Sequence, residues 1–148
     1  MVDKDSRLAI EDRVRQRLSR VSADSATVSE EANEYEHRFV VVPKSTGHCW
    51  FSVSVGRFDT YGLCFGHGLA IESLSISAYP PEEIIAALLS GNVSEDIWEW
   101  KGQILKVKGT VNIRKDAQLF DSAYNHPLSL LWWISRKRRV HYLAFDKK

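Results

Sequence analysis

The stretch Tyr79-Pro80-Pro81-Glu82-Glu83-Ile84-Ile85-Ala86-Ala87-Leu88-Leu89-Ser90-Gly91-Asn92 sets the architecture. Pro81 suits a first helical position, where a missing N–H costs nothing. Glu82 and Glu83 place negative charge at the positive end of the helix dipole. Gly91 is able to take the left-handed conformation that closes a helix. At about 100° per residue, Ile84, Ile85, Leu88 and Leu89 share one face, with Glu82, Glu83, Ala86 and Ala87 opposite. Burying those four aliphatics is worth on the order of 6–12 kcal/mol before entropy. Such a helix needs an apolar surface to lie on, and its surroundings are mostly strand-like.

C-terminal to it, Asn92–Asp96 is expected as a loop and Ile97–Lys101 as a short strand with Trp98 and Trp100 on one side. Gly102 turns the chain. Leu105, Val107, Gly109, Val111 and Ile113 then line one face of a long strand, with Lys106, Lys108, Thr110 and Asn112 on the other. One dry and one wet face is the antiparallel pattern. Leu119, Phe120 and Ala123 suggest a short helix over Asp116–Tyr124. Leu128–Ile134 is apolar throughout and admits either a helix from Pro127 or a strand. The strand is favoured by Trp132, Trp133 and Ile134; it would pair with Val140–Phe145 across a tip at Arg136–Arg139.

N-terminal to the helix, Leu69–Ser77 is apolar at 69, 71, 74 and 76. That phase slip predicts a bulge near Glu72–Ser73. Tyr61, Leu63 and Phe65 share a strand face, as do Cys49, Phe51, Val53 and Val55. The run Arg38–Val42, stopped by Pro43, pairs with His48–Val55 as a hairpin. Ser22–Glu34 is polar and aperiodic, a linker with at most one helical turn near Glu30–Tyr35. Ser6–Val21 carries Ile10, Val14, Leu18 and Val21 at helical spacing. Arg13, Arg17 and Arg20 form a row on another side.

The expected fold is therefore α+β: a mostly antiparallel twisted sheet with one main helix packed on it. Residues 1–34 form an N-terminal helical arm and polar linker, and residues 35–148 a single domain. The chain has 148 residues, 44% of them hydrophobic and 26% charged, enough for a core without staples. No apolar run reaches the ~18 residues of a membrane span. The charged start Met1-Val2-Asp3-Lys4-Asp5 lacks a signal-peptide core, so Cys49 and Cys64 are expected as reduced thiols in a cytoplasm.

Net charge is +1, but unevenly spread. Residues 21–36 carry five acids and no Lys or Arg, residues 37–100 seven acids against three bases, and residues 101–148 eleven bases against three acids. Such asymmetry marks either an acidic partner or segments that face each other within the fold. The densest charge, Arg136-Lys137-Arg138-Arg139, lies beside Trp132 and Trp133. With Lys106 and Lys108 it makes a candidate binding surface, whose site residues are Arg136, Lys137, Arg138, Arg139, Trp133, Lys106 and Lys108. A solvated tip is the plainer account of the four bases.

No catalytic motif is specific. His48-Cys49 and Cys64-Phe65-Gly66-His67 hold four ligands of the type zinc takes, but neighbours on a strand point to opposite faces. Cys64 with His67, His48 or Asp59 would make a nucleophile pair only if a third group orients the base. Gly66-His67-Gly68 lacks the spacing of a phosphate loop. No metal or other cofactor is expected. The profile fits a non-enzymatic interaction protein, such as a small inhibitor or immunity-type protein that masks an acidic partner surface. Nucleic-acid binding through the same bases and a small Cys/His enzyme are the alternatives; no membrane partner is expected.

Overall fold

A computed structural model describes residues 4–56, 58–124 and 134–146. The described residues form two helices and two antiparallel sheets, an α+β architecture with an N-terminal helix. In chain order these are α1 (Lys4–Leu18), β1 (Ala26–Ala32), β2 (His37–Pro43), β3 (Phe51–Val55), β4 (Thr60–Phe65), β5 (Leu69–Ser75), α2 (Pro81–Leu89), β6 (Val93–Trp100), β7 (Gln103–Arg114), β8 (Ala117–Tyr124) and β9 (Arg136–His141). The first sheet is a meander in order β1-β2-β3-β4-β5; the second runs β8-β7-β6-β9.

Alternation builds both inner faces. Phe39, Val41, Phe51, Val53, Val55, Tyr61, Leu63 and Phe65 are buried on the first sheet, and Val93, Ile97, Leu105, Val107 and Val111 on the second. The hairpin of β2 and β3 forms in the expected phase, Val41 opposite Phe51. Its second strand is shorter than expected, beginning at Phe51. The bulge is where the phase slip put it: Tyr61 pairs Leu74 and Leu63 pairs Ile71, so Glu72 and Ser73 together face Gly62. Ser73 takes a positive φ of 58° there. The sheets touch at Gly109 of β7; a Cβ at that position would lie 2.8 Å from Phe65 Cε2 and would also collide with Leu69.

Helix α2 starts at Pro81 and buries Ile84, Ile85, Leu88 and Leu89, and Gly91 follows with φ +74°. Ala87, expected on the wet side, is also buried, because α1 packs against α2 and covers a second side. Helix α1 contributes Ile10, Val14 and Leu18 to the same core cluster as both sheets. No helix among the described residues is long and apolar enough to cross a membrane.

Four expectations are corrected. Ala26–Ala32, expected within a linker, is edge strand β1, in register with β2 from Ala26↔Pro43 to Ala32↔His37. Val93–Asp96 is not a loop but the first half of β6. Ala117–Tyr124 is strand β8 rather than a helix, Leu119 buried and Phe120 exposed. Arg136–Arg139 is not a hairpin tip: it lies within β9 and pairs along β6, while Tyr142–Asp146 is not strand. Residues 125–133, with most of the expected Leu128–Ile134 element and with Trp132 and Trp133, lie outside the described residues.

Candidate functional site

The second sheet has one face on the core and one face turned outward. Register assigns the outward residues. On β7 the inward set Leu105, Val107, Gly109 and Val111 leaves Lys106, Lys108, Thr110 and Asn112 outside. Their partners share that face: Phe120 opposite Thr110 on β8, Trp98 opposite Lys106 on β6, and Lys137 opposite Trp98 and Arg139 opposite Asp96 on β9. Four cations and two aromatic rings, contributed by four strands, therefore occupy one surface.

Their contacts are specific. Trp98 is flanked by two ammonium groups, Lys106 Nζ 4.8 Å and Lys137 Nζ 5.3 Å from the ring centroid. Lys108 Nζ lies 5.6 Å from the centre of Phe120, whose ring is 56% exposed. Trp98 itself is buried, at 9% exposure; at the exposed Phe120 such a contact contributes roughly 0.5–1 kcal/mol. The Arg139 guanidinium donates to both oxygens of Asp96, at 2.7 and 3.1 Å, and Lys137 Nζ lies 3.4 Å from the same carboxylate. These bonds, that of Arg139 first, hold the Asp96 carboxyl below its ordinary range.

Alternation sends Arg136 and Arg138 to the opposite side of β9. Arg138 donates twice to Glu99 Oε1, at 3.0 and 2.8 Å, which lowers the Glu99 carboxyl. Of the expected site residues, the structure thus brings together Lys106, Lys108 and Lys137 with Arg139. It separates Arg136 and Arg138 from them, and Trp133 lies outside the described residues. Acidic β6 against basic β9 accounts for part of the charge asymmetry within the fold.

A second constellation was not legible in the sequence. Glu95, on the inner side of β6, is fully buried. It accepts hydrogen bonds from the His67 backbone N–H at 3.0 Å, from His67 Nδ1 at 3.1 Å and from the Tyr142 hydroxyl. Gly66, at φ +58°, packs directly on the carboxylate; a Cβ there would lie 2.7 Å from Glu95 Oε2. Burial alone pushes the Glu95 carboxyl up, but the bonds from His67 and Tyr142 outweigh it and the net shift is downward. The bond to Glu95 raises the His67 imidazole, and burial raises the Tyr142 phenol. Glu95 thereby ties the β4–β5 turn to β6 and to the segment after β9. That segment is fixed further by Leu143 N–H donating to Gly47 O at 2.7 Å and Phe145 N–H to Leu89 O at 2.8 Å.

A carboxylate orienting a histidine is half of a general-base device. The thiol electrostatically coupled to Glu95 is Cys49, which is buried and pushed by that burial up to about 12, so it stays protonated at neutral pH. Cys64 lies on the other face of β4 from buried Leu63 and Phe65, and no hydrogen bond joins it to a histidine among the described residues. No group of three His, Cys, Asp or Glu side chains among the described residues is arranged to hold a metal. The chemistry on hand is ion pairing and cation–π contact on one face, and a buried tether behind it. No family model, no curated protein and no solved structure matches the chain.

Proposed function

We propose that the chain is a non-enzymatic interaction protein that binds an acidic partner protein through the outer face of β6–β9. The observation that carries this reading is the gathering of Lys106, Lys108, Lys137 and Arg139 around Trp98 and Phe120 on one sheet face. Among the described strand residues of that face Asp96 alone is acidic, and it is already bonded to Arg139. An exposed aromatic ring with a cation over its face suits partner recognition, the ring supplying contact area and the charge supplying register and rate of encounter. An inhibitor or immunity-type role, in which this face covers a partner's acidic surface, fits such a layout. The free thiols Cys49 and Cys64 fit a cytoplasmic setting.

A second reading rests on Phe120. An exposed ring beside a lysine on an open sheet is a stacking platform for a single-stranded base. The experiment separates the two. Partner captured from native extract is identified, purified and titrated against wild type and Lys106→Glu/Lys108→Glu; mixed single-stranded DNA and RNA are titrated in parallel. The protein-binding reading expects affinity for the partner to fall roughly tenfold or more in the variant, with the melting temperature lowered only by the few degrees that the two lost ring contacts account for. Equal affinity of the two would overturn it. Nucleic-acid binding that weakens steeply between low and moderate salt would establish the second reading instead.

A further inference from the structure

The arginine row of α1 lies across a cleft that the sheet face does not involve. Arg13 is held by Glu82 of α2, Nη1 to Oε1 at 3.1 Å. One turn on, Arg17 is half-buried and Arg20 exposed, and neither guanidinium has an ion pair or side-chain hydrogen bond among the described residues. Their stems cover apolar surface while both guanidinium heads remain available to a ligand.

Both guanidinia wall the same two cavities between α1 and α2. One, of about 150 Å³, is an open cleft lined also by Arg13, Gln16 and Glu82. The other, of about 160 Å³, has an apolar floor of Val21, Ala86, Leu89 and Phe145. That volume is on the order of ten times what one water needs. Two carboxylates stand nearby. Glu82 accepts from Arg13 through Oε1, while its Oε2 is buried with no hydrogen-bond partner among the described residues, and Asp146 lines the apolar cavity. Arg13, Arg17 and Arg20 against these two carboxylates leave the cleft net positive beside its apolar wall.

We infer that this cleft is a binding site for a small amphipathic anion, a carboxylate on a short aliphatic body. The carboxylate lies on Arg17 and Arg20, where planar donors match it in pairs. The aliphatic chain covers Ala86, Leu89 and Phe145. Position explains the build: α1 docks through Ile10, Val14 and Leu18, which leaves its arginine row along the seam with α2.

The test is a titration of the full chain with hexanoate, inorganic phosphate and hexylammonium, followed by amide and side-chain NMR shifts. Saturable hexanoate shifts confined to Arg17, Arg20, Ala86, Leu89 and Phe145 are expected, on the order of millimolar in affinity. Hexylammonium is expected to leave these signals still, and phosphate to bind more weakly than hexanoate. Arg17→Gln/Arg20→Gln is expected to weaken hexanoate about tenfold or more, while Arg17→Lys/Arg20→Lys retains part of the binding. Both variants change exposed or half-exposed side chains, and their melting temperatures report any loss of fold. Absence of saturable shifts, equal response to hexylammonium, phosphate binding as tight as hexanoate, or indifference to the glutamine pair would each overturn the assignment.

Discussion

Replacing Gly66 by alanine probes the buried tether with an internal control two residues away. Gly66 and Gly68 both sit at positive φ, +58° and +79°. Alanine in that region costs roughly 1–2 kcal/mol. Part of this is offset by about 0.4–1 kcal/mol from a less flexible unfolded chain. Gly68→Ala meets nothing within 4 Å, so this backbone cost of about 1 kcal/mol is its whole penalty. Gly66→Ala carries the same backbone cost and also drives a methyl group into the Glu95 carboxylate. The flexible end of that side chain has nowhere equivalent to go. It is fully buried, and moving it lengthens bonds from His67 N and His67 Nδ1 that now measure 3.0 and 3.1 Å.

Hydrogen bonds to a charged group contribute about 1.5–3 kcal/mol each, and a buried acceptor left short costs its desolvation as well. Loss of one or two of them puts Gly66→Ala at roughly 3–6 kcal/mol in total, a large part of the ~5–15 kcal/mol that holds a domain together. The assay is urea unfolding followed by tryptophan fluorescence, comparing midpoints at constant m-value. Gly66→Ala is expected to lose at least about 2 kcal/mol more than Gly68→Ala. Equal losses in the two variants would refute the claim that the glycine exists to admit the carboxylate.

The same tether sets a pH window. His67 is raised above its ordinary 6.5, so its contribution is full below that value and fades as pH climbs through the elevated one. Glu95 is lowered below its ordinary 4.5, so its contribution is full above that value and fades as pH falls through the depressed one. Urea midpoints are therefore expected to carry the pair's full contribution between 4.5 and 6.5, and His67→Gln is expected to flatten the alkaline decline; an unaltered alkaline limb would count against the assignment. Gly109→Ala places a methyl against Phe65 and Leu69 where the sheets touch, and overpacking predicts a loss of about 1–3 kcal/mol or more in the same assay. A neutral effect would mean the sheets yield at that point.

What the sequence disclosed depended on whether burial imposes a period. Helix α2 has one dry stripe and a proline start, and its limits were legible. So were β2, β4 and β7, where one face is buried and alternation is strict. Strand β1 was not, because six of its seven residues are exposed. Both its faces are wet, and what makes it a strand is the edge of β2 it pairs with. In β8, Leu119 and Phe120 are neighbours of opposite fate, one 8% and the other 56% exposed. Two adjacent apolar residues fit a helical stripe as well as an inside–outside pair. Glu95 gave no signal at all, since its partners lie 28 and 47 positions away. The trace it left is indirect: a glycine before a histidine in the β4–β5 turn.

The charge layout follows from the same geometry. A run of four bases suggests one basic surface only if its side chains point one way, as at a turn. In a strand they divide by parity, and β9 gives Lys137 and Arg139 to the outer face and Arg136 and Arg138 to the other. Pairing with β6 then sets Asp96 and Glu99 against Arg139 and Arg138, so the densest charge in the chain is largely answered at home. Lys106 and Lys108, two isolated lysines in a valine-rich strand, lie over rings instead, Lys106 Nζ over Trp98 and Lys108 Nζ over Phe120. A charge substitution in β9 perturbs the β6–β9 pairing along with any binding. The lysines of β7 sit on a strand fixed from its other side by Leu105, Val107 and Val111, each fully buried. Substitutions there change the face while leaving the sheet, which is why the β7 pair separates recognition from folding.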